Sequence, residues 1–469
     1  MQAIRKLFAP RDLTQGNPMT GIALFAIPLL LGNLAQQMYN TVDAIVVGGI
    51  PVIGDNALGA VGLGGAVLNL ILVLFMGIST GATIVVSQYF GAKDKENLSR
   101  AVGTTIMLTI ISGIFMSVVG VFLSRPLLML LGTSDEMIDL ATNYLVIIML
   151  GMVGNGLYNI LSGVMRGLGD STSPLLYLLI ACGLNIGLDL LFVKVFGMTT
   201  DGVAWATIIA QAVSAVLCVL RLRNMKETLE LNKETLRIDK KITKRVVQLG
   251  VPAGLTQMIF ALSNILVQAL TTSLGNDVVT ATTAIMRVDG FAMMPNFTFG
   301  IAATTFTGQN VGARRFDRVK QGTKDTLILA LGTATVLVIG ILVFGKNLMQ
   351  VFTKTSTIVD MGEKMMRLLA IGYIAFAGTQ VLQGVMRGAG ETVIPMWISV
   401  IVTVVIRMPL AYLWAHLTKS ELYPNGDPTC LYGSLLTAWV MGCIISTVFF
   451  LIGGWKKKCG WEETDAAKN

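Results

Sequence analysis

The chain has 469 residues, of which 54% are hydrophobic and 13% charged, and its mean hydropathy is +0.71. A soluble domain carries about 25% charge, so an ordinary set of soluble domains is excluded. The net charge of +8 does not mark a nucleic-acid binder, because the charges gather in short clusters between apolar runs.

Those runs are about 20 residues long, the length a helix needs to cross ~30 Å of hydrocarbon. Only helices and closed barrels satisfy their backbone groups there, and barrel strands are much shorter. The pattern predicts an all-α integral membrane protein with twelve transmembrane helices. They fall near 22–48, 58–82, 101–123, 143–165, 173–194, 202–221, 248–271, 279–305, 323–345, 365–386, 394–416 and 433–454. The first run is too long for a signal-peptide core and has no small-residue cleavage site, so it reads as a retained helix. Most Lys and Arg fall at the termini and in the loops after the even-numbered spans. Positive residues stay inside, which predicts a multi-pass membrane protein with both termini cytoplasmic. Residues 1–221 form an amino-terminal six-helix bundle, 222–247 a cytoplasmic linker, 248–455 a carboxy-terminal bundle and 456–469 a tail. The linker alternates charge sign (Lys226, Glu227, Glu230, Lys233, Glu234, Arg237) and reads as a solvated helix. Cys182, Cys218 and Cys443 lie in apolar spans and Cys459 is cytoplasmic, leaving Cys430 in an external loop; no disulfide framework or metal motif emerges.

The chain repeats itself. Gly163-Val-Met-Arg-Gly-Leu-Gly-Asp170 recurs as Gly384-Val-Met-Arg-Gly-Ala-Gly-Glu391, and Gln88-Tyr-Phe-Gly-Ala-Lys93 as Gln309-Asn-Val-Gly-Ala-Arg314. Both recur at a spacing of 221 residues, whereas Pro28 and Pro252 correspond at 224. Six spans per half is an even number, so the halves run parallel and are related by an axis along the membrane normal. Arg166 and Arg387 sit at helix ends that favour cations, and the glycines suit tight turns. A phosphate-cradling role would need a preceding strand. The run Gly340 to Asn347 is no P-loop either, since Asn replaces Ser/Thr.

Ionisable groups inside a membrane are costly and usually functional. In the first span Asn33, Gln36, Asn40 and Asp43 follow at spacings of 3, 4 and 3, a polar stripe on one helix face. Pro28 removes a backbone hydrogen bond before them and is a candidate hinge. In the fifth span Asn185 and Asp189 share a face, beside Gly183 and Gly187, a small-xxx-small pair that predicts close helix approach. A carboxylate in such a place takes up and releases H⁺, or with nearby oxygens holds Na⁺. The seventh span has Gln257, Asn264 and Gln268 but no acid. Gln36, Asn40, Gln257 and Asn264 are therefore candidate linings of a substrate cavity. Arg287, Asp289 and Arg407 read as structurally paired or helix-end groups, and His416 as interfacial. The 25 methionines suit soft, adaptable walls.

The 6+6 parallel repeat, Asp43 within Asn-Thr-Val-Asp-Ala-Ile-Val-Val-Gly, the Gln-x-x-Gly-Ala-[Lys/Arg] loops and the paired Met-Arg-Gly motifs resemble the MATE (multidrug and toxic compound extrusion) family along essentially the whole chain. The resemblance implies a secondary exporter of small organic compounds, often cationic or amphipathic. It implies H⁺ or Na⁺ antiport by rocking-bundle alternating access. It implies no enzymatic activity, no cofactor, no resident metal beyond Na⁺ as coupling ion, and a monomer in membrane lipid. In the DinF-like branch the coupling site matches Asp43, Asn185, Asp189 and Thr207; the last enters only through the resemblance. The NorM-like branch adds acids on helices seven and ten, which this chain lacks. The alternative is a lipid-linked oligosaccharide flippase of the related superfamily, which needs a more basic cavity than Arg287 and Arg407 supply.

Overall fold

The structure is a computed structural model. It describes residues 10–48, 54–421 and 423–461, and no side chains for 39–48, 54–58, 66, 70 and 74. Twelve helical rods follow in chain order. They are α1 Pro18–Gly48, α2 Gly54–Gly91, α3 Lys95–Leu130, α4 (Asp135–Leu150 and Met152–Gly167), α5 Thr172–Val195, α6 Thr200–Arg223, α7 Lys240–Ser273, α8 Asn276–Gly312, α9 Phe316–Phe352, α10 Ser356–Gly388, α11 Val393–Leu417 and α12 Thr429–Ile452. A short α13, Gly454–Lys458, follows. Among the described residues there is no strand. Ten of the rods are long and apolar enough to span a membrane, and eleven if α4, bent by 56°, counts as one span. The rod outside that set is α8, which carries Asp277, Arg287 and Asp289. Much of its surface is buried among neighbouring helices, so it needs little apolar surface for lipid. By contrast α3 exposes Phe115 (63%) and Phe122 (77%), and α9 exposes Val336 (69%) and Val343 (64%). These pairs are 221 apart, and such faces suit hydrocarbon rather than water.

The chain packs into two compact units. One comprises Met1–Asp12 and Ile27–Gly254, the other Leu13–Ala26 and Leu255–Asn469. Packing thus divides the chain elsewhere than at residues 221 and 248. Two helices are shared: α1 changes unit one residue before Pro28, and α7 two residues after Pro252. The first half of α7 belongs to the first unit through backbone contact. A Cβ on Gly77 of α2 would lie 2.7 Å from the Gly250 carbonyl oxygen and 2.8 Å from the Gly254 Cα. The lead-in of α1 is held in the second unit by polar clips. The Leu13 N–H donates to Gln309 Oε1 at 2.9 Å, Arg318 Nη1 to the Gly16 carbonyl at 2.9 Å, and Arg315 Nη1 to the Thr14 carbonyl.

Inside each unit the duplication extends to individual bonds. Thr83 Oγ1 donates to the Gly163 carbonyl at 2.8 Å, joining α2 to α4. Thr304 Oγ1 donates to the Gly384 carbonyl at 3.1 Å, joining α8 to α10. Arg125 pairs with Asp139 at 2.8 Å, and its equivalent Lys346 with Asp360 at 3.1 Å. The Met-Arg-Gly-x-Gly loops are Schellman caps. Asp170 N–H reaches the Met165 carbonyl and Glu391 N–H the Met386 carbonyl, each at 2.9 Å. Gly169 and Gly390 supply the left-handed residue, with φ of 81° and 93°. The acid that follows caps the next helix: Asp170 accepts from the Ser173 N–H at 2.9 Å, and Glu391 from Val393 N–H at 2.9 Å. Each acid also meets a cation, Arg221 at 3.1 Å and Lys458 at 2.6 Å.

The linker corrects one expectation. Residues 224–239 form turns rather than a helix. Asn232 Oδ1 accepts from the N–H groups of Glu234 and Thr235 at 3.0 and 2.9 Å, a local bond that competes with helix. Thr104 of α3 anchors the segment by donating to the Arg237 carbonyl at 3.0 Å. Cys430 is corrected as well. It lies buried in the first turn of α12 rather than in a loop, because Pro428 and Asp427 start the helix earlier than hydropathy indicated.

Two stability outcomes follow. Alanine cannot adopt the left-handed conformation without a cost of about 1–2 kcal/mol. Gly390→Ala therefore lowers the melting temperature of the purified protein, while Gly332→Ala, a helical site with no atom within 4 Å of a Cβ, leaves it unchanged or slightly higher. Asp94 caps α3, accepting from the Asn97 N–H at 3.0 Å and Asn97 Nδ2 at 2.7 Å. These bonds hold its carboxyl below the usual range. A depressed folded value means the contribution is present above the ordinary Asp pKa and is lost as pH falls through the depressed one. Asp94→Ala is expected to cost about 1 kcal/mol at neutral pH, with its melting difference from wild type shrinking on acidification.

Candidate functional site

In the first unit the fifth rod changes geometry at the candidate acid. Thr172–Asp189 is α-helical and Leu190–Val195 is π-helical; π turns inside α-helices commonly occur at functional sites. Asn185 and Asp189 are both fully buried, one turn apart on one face. Asn185 Nδ2 lies 3.5 Å from Thr207 Oγ1 of α6, and that hydroxyl donates to the Val203 carbonyl at 2.9 Å. The Asn185 amide thus meets the Thr207 hydroxyl between α5 and α6, one turn from Asp189. The side chains of Asp43 and Asn40 lie outside the described residues, and Gln36 is half-buried on α1. The close approach expected at Gly183 and Gly187 is not made: among the described residues a Cβ at either meets no atom within 4 Å. Close approach falls instead at Gly163 and Gly384, where a Cβ would press on Ser79 and Thr83, or on Gly300 and Ala303.

The second unit encloses a cavity of about 400 Å³. Gln257, Asn264 and Gln268 line it from α7, joined by two groups that sequence reasoning treated as structural, Asp289 of α8 and Arg407 of α11. Arg407 is 8% exposed. Its Nη1 donates to Ser263 Oγ at 3.1 Å and Asn264 Oδ1 at 3.4 Å. Asp289 accepts a hydrogen bond from the Tyr373 hydroxyl. Arg287 is exposed. One wall is aromatic: Phe297 meets Phe376 edge-on at 5.6 Å, and Trp439 lies 5.0 Å from Phe376 and 5.4 Å from Tyr373. The lone charges in spans eight and eleven were the available signal. Their partners lie 84 and 144 residues away in sequence, beyond any local spacing rule.

A duplicated set of apolar helices, with buried polar groups inside each half, fits a polytopic α-helical membrane transporter. Residues 28–191 and 252–413 each match the MatE family, and the chain belongs to that family. The two matched segments begin at Pro28 and Pro252, the equivalent prolines of the repeat. The chain is 29% identical over 408 residues to the probable multidrug resistance protein YoeA of Bacillus subtilis, covering 86% of this chain and 88% of that one. Its fold is similar to that of a MOP superfamily transporter from Pyrococcus furiosus, with a TM-score of 0.86 at 21% identity over 96% of this chain and 98% of that one. It is also similar to an outward-facing multidrug resistance MATE family transporter, with a TM-score of 0.85 at 22% identity over 94% and 97%.

The arginine contacts give a direct test. A hydrogen bond to a charged group contributes about 1.5–3 kcal/mol, and Ser263 supplies the shorter of the two that Arg407 Nη1 makes. Ser263→Ala is expected to lower the melting temperature in the wild-type background and to have no effect in an Arg407→Met background.

Proposed function

We propose that the protein exports small organic compounds, cationic or amphipathic in character, by antiport against H⁺ or Na⁺. The first unit carries the coupling ion. The observation that carries this reading is the buried Asp189 one turn from Asn185, whose amide lies 3.5 Å from Thr207. Asp43, also on the first unit's part of α1, is the second acid of the proposed site. A buried carboxylate is costly when charged and uncompensated, so a cation or proton arriving there lowers the free energy of the occupied state. The names of YoeA and the outward-facing relative support organic drugs as cargo and alternating access as the mode.

The cycle runs as follows. In the outward-facing state H⁺ or Na⁺ reaches Asp43 and Asp189, and neutralisation changes helix packing in the first unit. Substrate leaves outward, the bundles rock, and the ion is released inside. Pro28 is the hinge, since α1 changes unit beside it and its backbone lacks one hydrogen bond. One elementary charge moved through 100 mV contributes about 2.3 kcal/mol, enough to bias the cycle. The protein works as a monomer in a prokaryotic cell membrane, with both termini cytoplasmic.

Dye-loaded proteoliposomes test the coupling. Wild type is expected to move dye under a pH gradient alone or a Na⁺ gradient alone, which identifies the ion. Asp43→Asn and Asp189→Asn each abolish gradient-driven flux while retaining dye binding, and Thr207→Val reduces it. Full flux in both Asn variants contradicts the assignment.

A further inference from the structure

The end of α12 carries a surface that the antiport cycle leaves unused. Gly453, at a φ of 77°, turns the chain out of α12 into α13. The run Trp455-Lys-Lys-Lys458 follows. Trp455 is buried, and its Nε1 donates to the Phe450 carbonyl at 3.0 Å. Trp461 is 3% exposed and stacks on Phe316 of α9 at 4.9 Å. The aromatic side of the tail is thus held on the bundle, and Lys457 is left exposed and Lys456 half-buried. Two ammonium groups from different helices converge on one ring. Lys320 Nζ of α9 lies 5.6 Å from the Trp461 centroid and Lys456 Nζ 5.5 Å. Among the described residues neither is in an ion pair. Like charges so placed repel, and an anion seated between them offsets that cost. Glu391, the nearby buried acid, is already matched to Lys458 at 2.6 Å. Lys324 continues the face of Lys320 one turn along α9. Asp317 and Asp325 lie on the same stretch, so the cationic surplus comes from Lys320, Lys324, Lys456 and Lys457. Apolar surface adjoins it: Ile328, one turn beyond Lys324, is 49% exposed, and Leu451 and Ile452 at the end of α12 are 73% and 70% exposed.

We propose that this rim is a docking site for an anionic phospholipid, its phosphate between Lys320 and Lys456 and its acyl chains along Ile328, Leu451 and Ile452. A lysine cluster immediately beyond a membrane helix attracts acidic headgroups, and exposed apolar side chains below it suit the hydrocarbon. A phosphatidylcholine headgroup carries a trimethylammonium that the lysines repel, so the rim selects headgroups of net negative charge. The bound lipid joins α9 to the tail, and through Lys458 and Glu391 to the start of α11. Binding requires no ion gradient and no transported compound.

The full-length protein in detergent is given an equimolar mixture of dioleoyl phosphatidylglycerol and dioleoyl phosphatidylcholine, which share their acyl chains. Native mass spectrometry counts the lipids retained. A lysine beside an anionic headgroup contributes roughly fivefold in affinity, so wild type is expected to prefer phosphatidylglycerol by about tenfold or more in the first lipid bound. Lys320→Gln/Lys456→Gln reduces that preference to about twofold, the loss of two such contributions. Lys226→Gln/Lys240→Gln, which removes two exposed lysines of the first unit, leaves it unchanged. Added inorganic phosphate leaves the bound phosphatidylglycerol in place. Equal retention of the two lipids by wild type overturns the proposal, as does a full preference in Lys320→Gln/Lys456→Gln. An equal loss in both double variants shows charge attraction without a site and overturns it too. Displacement by inorganic phosphate makes free phosphate, not lipid, the occupant. If the double variant does not fold, Lys320→Gln alone decides, with an expected loss of about fivefold. Failure of ion coupling in proteoliposomes leaves this gradient-free result untouched, so the two readings fail separately.

Discussion

Within each unit two helices meet so closely that only glycine fits between them, and a threonine hydroxyl spans the gap to the opposing carbonyl. Thr83 to Gly163 joins α2 and α4, and Thr304 to Gly384 joins α8 and α10. Lipid offers no hydrophobic gain for helix association, so contact of this kind and interhelical hydrogen bonds supply it. The surrounding arrangement follows from these contacts. Their helices end in matching Schellman caps, and the acid after each cap starts the next helix.

Two helices, α1 and α7, are divided between the units. The lead-in of α1 is clipped into the second unit by Gln309, Arg315 and Arg318, while the first half of α7 lies in the first unit against Gly77 and Gly81 of α2. Both helices carry a proline within two residues of the point where they change unit. A helix interrupted there bends at lower cost than one with its full ladder. The sequence duplication thus folds into two packed bodies, with α1 and α7 each divided between them. The chemistry inside the bodies differs. Asn185 and Asp189 lie buried one turn apart in the first, with the Asn185 amide nitrogen 3.5 Å from Thr207 Oγ1, and Asp289 and Arg407 line a cavity in the second.

Much of this was legible from residues alone. The 221-residue repeat predicted the matching turns after α4 and α10, because tight turns demand glycine. Asn185 and Asp189 were legible through their four-residue spacing. Other features were not. Helices α1 and α7 each read as one apolar run, since hydropathy does not report which unit a face packs against. The linker read as helix from its charges, although Asn232 and Thr104 hold it in turns. The contacts of Arg407 with Ser263 and of Asp289 with Tyr373 are tertiary, and nothing near them in sequence announces them. Among the described residues Gly183 and Gly187 meet no neighbour, since spacing shows that close approach is allowed, not where it happens.

The claim on which the account turns is that two stiff units move against each other about the prolines of α1 and α7. Spin-label distances on a cysteine-free background test it directly. Labels at Leu130 (84% exposed) and Val195 (69%) report on the first unit, and labels at Val351 (75%) and Leu417 (73%) on the second. A Leu130–Val351 pair reports across them. When coupling ion and substrate are exchanged, the account predicts unchanged distributions within each unit and a shift across them. Within-unit distances that change as much as the cross-unit one, or a cross-unit distribution that never shifts, contradict it.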